Sequence, residues 1–101
     1  MSDAHSADQF APHEGSDFIV GAPAEGILRL KLVRLTRHGI HPGAPRPDPF
    51  SLEFVGPPEP VLPQAIYAFE HPAMGHFDLF IVPLGPIGRT DARMRYEAVF
   101  N

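Results

Sequence analysis

Six histidines give this chain its widest range of possible chemistry, as metal ligands, proton carriers or general bases. His38 and His41 stand three apart, and His71 and His76 flank a turn containing Pro72 and Gly75. A zinc-like ion needs three or four donors converging at about 2 Å. His38 and His41 could share one only if their loop curled like a turn of helix, and Pro42 opposes continuing such a turn. No compact His-x-His with a downstream Glu or third histidine is present. The spacing therefore predicts no metal centre.

Nucleophilic chemistry finds less support. There is no cysteine, hence no thiolate nucleophile, thiolate metal site or disulfide frame. Serines occur at 2, 6, 16 and 51, none of them in a nucleophile elbow. The first two fall in a polar N-terminal stretch, and Ser51 falls on the polar face of an expected strand. Glu53, Glu70 and Asp78 could supply carboxylates from neighbouring strands, but nothing in their spacing draws them into one cleft. The glycines serve turns and do not open a helix, so no phosphate-cradling loop is expected. No catalytic residue, metal or cofactor is assigned, and the residues point away from an enzyme.

The elements that would carry these residues are short. Thirteen prolines and nine glycines spread over 101 residues forbid long helices and divide the chain into brief segments. ILRLKLVRL alternates strictly, with Leu28, Leu30 and Leu32 on one face and Arg29, Lys31 and Val33 on the other, which is a strand's period. FSLEFVG, AIYAFEH and MRYEAVF alternate likewise, and SDFIV is a shorter strand. FDLFIVPL is apolar on both faces except at Asp78, which predicts a central strand covered on both sides. Pairing of FSLEFVG with ILRLKLVRL would bring Glu53 near Arg29 or Lys31.

Turn signals recur about every ten residues, so the expected fold is all-β. It is a small single-domain barrel or barrel-like sandwich of about six mostly antiparallel strands, over residues 13–101. Residues 1–12 read as a flexible, acidic arm, and GPIGRTDAR as a long loop. HGIHPGAPRPDP and GPPEPVLPQ read as loops stiffened by proline. MRYEAVFN, the last stretch, either closes the sheet inside the protein or forms an edge for another chain.

A net charge of −4 argues against general nucleic-acid binding. The charges are segregated, with Asp3, Asp8, Glu14, Asp17 and Glu25 before residue 26, and Arg29, Lys31, Arg34, Arg37 and Arg46 in residues 26–47. The two blocks either meet across neighbouring strands or leave a basic face for an anionic ligand or partner. No apolar run approaches the roughly 20 residues that span a bilayer, and no leader-like N-terminal pattern is seen, so no membrane association and a cytoplasmic location are expected.

FAPHEGSDF, FSLEFVGP, QAIYAFEHPAMGHFDLFIVPLGP and the ending YEAVFN together resemble a family of small bacterial domains of unknown function. The resemblance spans most of residues 10–101 and omits the arm and the first proline loop. It implies a compact all-β protein without assigned catalytic residues. It also implies an association with phage-tail-collar-like proteins, and hence a structural or assembly role. The first functional expectation is thus a non-enzymatic structural or protein-interaction module, binding itself or another protein. Outward Val33, Val55, Phe80 and Val99 would supply its patch if they were contiguous. The alternative is a small-ligand or metal-binding barrel, with or without enzymatic activity, using the His38/His41 loop, Arg37 or Arg46, and His71 or His76.

Overall fold

The computed structural model describes residues 5–22, 24, 26–39 and 49–100. Six antiparallel strands form a closed barrel in the order β1-β2-β3-β6-β5-β4. They are β1 (Asp17–Ala22), β2 (Gly26–Arg37), β3 (Phe50–Gly56), β4 (Ala65–His71), β5 (Gly75–Pro86) and β6 (Met94–Phe100). MRYEAVF is therefore an internal strand, paired with β3 along its whole length and with β5 on its other side. The circle closes where Val20 of β1 faces Phe69 of β4.

The alternation read from the sequence sets what lies inside. Leu28, Leu30, Leu32, Phe54, Phe69, Leu79 and Tyr96 all point inward and are buried. A barrel this narrow has no room for a lumen and is filled by its own side chains. At Gly56 the packing is close, and a Cβ there would collide with the Leu30 side chain.

Both ends of the barrel are plugged. At one, residues 5–13 fold back as a short helix, α1 (Ala7–Phe10), followed by a 3₁₀ turn over Ala11–His13. Ser6 N–H donates to Gln9 Oε1 at 2.8 Å across the first turn, and Ala7 and Phe10 are fully buried. The Phe10 ring lies 5.7–6.4 Å from those of Phe18, Phe50, Phe77 and Phe100, the separations of favourable aromatic pairs. The flexible arm expected over 1–12 is corrected from residue 5 onward. Phe10 is the one large aromatic in a stretch of mostly small and polar residues, which gives no periodic signal, yet one phenylalanine suffices to cover a barrel end.

At the other end Leu62, from the loop between β3 and β4, is fully buried. Its N–H donates to the Tyr96 hydroxyl at 2.9 Å, while Tyr67 O–H donates to the Pro63 carbonyl at 2.6 Å. The proline-rich stretch, read from the sequence as a stiff loop, covers this end of the barrel.

Two irregularities bend the long strands. The β2–β3 register shifts between Leu32 and Arg34, leaving Val33 as the extra residue. The β5–β6 register shifts between Pro83 and Gly85, where Gly85 takes a φ of 108° open to glycine. That bulge accommodates Pro83, which has no N–H to give the ladder, so β5 continues to Pro86 and the loop expected from Gly85 begins at Ile87. β5 also departs from the expected two-sided burial, because Asp78 and Phe80 on its outer face are exposed. Among the described residues no second layer covers the barrel wall there.

Phe10→Ala is expected to cost about 3–5 kcal/mol, measured as a fall in urea midpoint, since it unplugs a packed end. Tyr96→Phe is expected to cost about 1–3 kcal/mol in the same assay, because it leaves the buried Leu62 N–H without an acceptor.

Candidate functional site

A concavity lies outside the barrel, on the wall formed by β1, β2, β3 and β6. Its volume is about 380 Å3, within the range of small-ligand sites. Outward alternation on β2 delivers Arg29 and Lys31, β3 delivers Glu53 and Val55, and β6 delivers Arg95. Asp17, Lys31, Val55 and Arg95 form one continuous row across four strands. Ile87 and Arg93, from either end of the β5–β6 loop, raise the rim.

That rim is braced from within. Ile87 N–H donates to the Arg93 carbonyl at 2.9 Å, and Gly88 N–H to the Asp91 carbonyl at 3.1 Å. Arg93 grips the Asp91 carboxylate with Nε at 3.0 Å and Nη2 at 2.7 Å. These bonds hold the Asp91 carboxyl below its ordinary value and raise the Arg93 guanidinium above its own.

Glu53 shares the groove with Arg29 and Lys31, as the strand pairing anticipates. Its ion-pair partner is instead Arg95, at 4.0 Å. The bulge at Val33 accounts for part of the difference, because it sets Arg34 opposite Glu53. Elsewhere the acidic and basic blocks do meet: Arg37 pairs with Asp8 at 2.6 Å, and Glu14 Oε2 accepts the Leu35 N–H at 2.9 Å. The Arg37–Asp8 pair is exposed and contributes at most about 1 kcal/mol.

The histidines fall into separate settings. His38 Nε2 lies 3.0 Å from Ser51 Oγ, so outward-facing Ser51 is covered where a solvated polar face was expected. His76 lies 4.0 Å from Glu70 on an exposed strand face. His71 is buried against Phe18 and His13, both at 4.5 Å between ring centres. Among the described residues no three His, Cys, Asp or Glu side chains are grouped to hold a metal. His41 and Arg46 lie outside the described residues.

His71 and Ser16 superficially form a catalytic pair, with Nε2 3.0 Å from Oγ. The surrounding bonds assign it otherwise. Ala73 N–H donates to His71 Nδ1 at 3.0 Å, so Nδ1 carries the lone pair and Nε2 carries the proton of the neutral ring. Nε2–H then donates to Ser16 Oγ, whose own proton goes to the His13 carbonyl at 2.7 Å. A general base needs its lone pair on the hydroxyl. Here the proton is in that place, and the chain of bonds ties the N-terminal turn to the end of β4. Sequence reasoning missed this pairing because Ser16 and His71 are 55 residues apart.

A different surface lies across β4, β5 and β6. Ile66 faces Phe80 between β4 and β5, and following the β5–β6 register from Val82↔Glu97 brings Val99 level with Phe80. These three apolar side chains are 66%, 48% and 51% exposed. Of the four outward residues named from the sequence, Phe80 and Val99 belong to this row, while Val33 and Val55 line the groove. They form two surfaces and no single patch. Ile66 was missed because the sequence leaves open which strands are neighbours.

Burial, and secondarily the neighbouring His13, hold His71 below its ordinary value of 6.5. The unfolded chain therefore takes up the proton first, so the stability His71 contributes is complete above about pH 6.5 and is lost as pH falls below it. In thermal unfolding the margin of the wild type over His71→Gln is expected to narrow between pH 7.5 and 5.

No curated protein and no solved structure matched the chain in comparisons with known proteins. Residues 5–100 match the family model DUF6916, described as a domain of unknown function. A barrel of β1 to β6 with its Phe10 plug occupies that same span, and the chain belongs to the DUF6916 family.

Proposed function

We propose that this protein is a non-enzymatic structural or interaction module that associates through the outer wall of β4, β5 and β6. The observation that carries this reading is the row Ile66–Phe80–Val99, with three large apolar side chains left open to water on adjacent strands. Apolar surface of this kind gains about 25 cal/mol per Å2 when a partner covers it.

Closure of the barrel decides how a partner can attach. Each strand already has two hydrogen-bonded neighbours, so strand addition to a free edge, one route the sequence left open, has nothing to add to. Association then proceeds wall to wall through side chains. A second copy of the chain is the simplest partner. An accessory place in a phage-tail-like assembly, the setting implied by the family resemblance, would draw on the same rigid wall.

Light scattering over a rising concentration series tests this. The wild type is expected to exceed its monomer mass of 11.1 kDa, while Phe80→Asp stays at that mass with an unchanged thermal transition. A wild type that stays monomeric up to about 1 mM would end the self-association reading.

A further inference from the structure

We propose that the outer-wall groove is a binding site for a small phosphomonoester. It is separate from the apolar wall, being centred on β2 and β3, and does not depend on the association proposed there.

Three observations converge on an anion. First, Arg95 Nε is buried and has no hydrogen-bond partner, and its Nη1 stands 4.0 Å from Glu53, beyond hydrogen-bonding reach. A buried charged donor without an acceptor is rare, and it marks a place where an acceptor is wanted. Second, Arg29 and Lys31 have no carboxylate within 4.0 Å among the described residues, although Lys31 lies directly across from Asp17. Third, the lining holds Arg29, Lys31, Arg93 and Arg95 against Asp17 and Glu53. With Asp91 set against Arg93, one net positive charge remains, on a molecule whose overall charge is −4. A concave site concentrates that field.

The register supplies the geometry. Lys31 and Arg95 flank Val55 on the strands to either side of it, two inter-strand spacings or roughly 9–10 Å apart. Both side chains are long enough to lean in over Val55 and reach one oxyanion placed there. Arg29 stands two residues from Lys31 on the same face of β2, and Arg93 is already held in place by Asp91.

The donor set selects among anions. One arginine satisfies a carboxylate with two parallel bonds, whereas a phosphoryl group offers three oxygens and nearly two charges. The guanidinium groups of Arg29 and Arg95 and the Lys31 ammonium, with the Asp91-bound Arg93 at the rim, match the latter. Val33, Val55 and Ile87 present an apolar surface for the body of the ligand, and Asp17 and Glu53 can accept from its hydroxyls. A long polyanion such as nucleic acid fits poorly, because the net negative charge of the protein repels it outside the groove.

The test is an amide-resolved NMR titration of the full chain with phenyl phosphate, with benzoate as the carboxylate of matching body. Saturable shifts are expected at Arg29, Lys31, Val55 and Arg95, with phenyl phosphate binding at least about tenfold tighter than benzoate. Arg95→Met should weaken it about tenfold or more. Lys31→Met, an exposed position whose change spares the fold, should weaken it as well, and Phe80→Asp should leave it unchanged. Equal binding of benzoate, shifts centred elsewhere, indifference to both Arg95→Met and Lys31→Met, or no saturable change up to about 10 mM would each overturn the assignment.

Discussion

Insertion of β6 between β3 and β5 is the constraint on which the rest of the molecule depends. With it in place every strand has two neighbours and the backbone ladder has no edge. Closure forces inward side chains into a lumen too narrow for anything else, and forces every functional surface onto the outside or the ends. It also pairs Arg95 with Val55 of β3 and, by extension of the β5–β6 register, sets Val99 level with Phe80, so one strand contributes to both outer surfaces.

Filling and sealing the lumen demand residues from outside the strands. Phe10 closes one end through an aromatic cluster that includes the stacked pair Phe50 and Phe100, 4.3 Å apart. Leu62 closes the other under the Tyr96 hydroxyl, and burial raises that hydroxyl's pKa despite the opposing bond from the Leu62 N–H. The His71–Ser16–His13 chain fastens the N-terminal turn beside the Phe10 end. These polar groups resemble chemistry in isolation. Their donors and acceptors are spent on one another, which is how buried polar groups in a small core are stabilised.

The outer wall divides by composition. Around β2 and β3 the outward positions hold Arg29 and Lys31 beside Glu53 and Val55, with Arg95 of β6 and the braced Arg93–Asp91 rim next to them. Around β4 and β5 they carry Ile66 and Phe80 with Glu70 and Asp78. Both surfaces are built on strands of the one closed barrel, so strand order sets where each lies.

Alternation made most of the fold legible. FSLEFVG, AIYAFEH and MRYEAVF occupy β3, β4 and β6 at the bounds their patterns indicate, because a half-buried strand must place apolar residues at every second position. Turn spacing indicated a small barrel or barrel-like sandwich for the same local reason, and left its closure open. The sequence also carried the basic segment of β2, which supplies Arg29 and Lys31 to the groove. It could not show that Arg93 and Arg95 complete it, that Ile66 and Val99 flank Phe80, or that Ser16 meets His71. Nor could it show that Phe10 leaves an acidic stretch to plug the barrel. Each of these depends on strand order or on contacts between distant segments, and period-two patterning is identical for every order of the same strands. Inside and outside were therefore written in the sequence by local periodicity, while neighbourhood, and with it every candidate site, was decided by how the barrel closed.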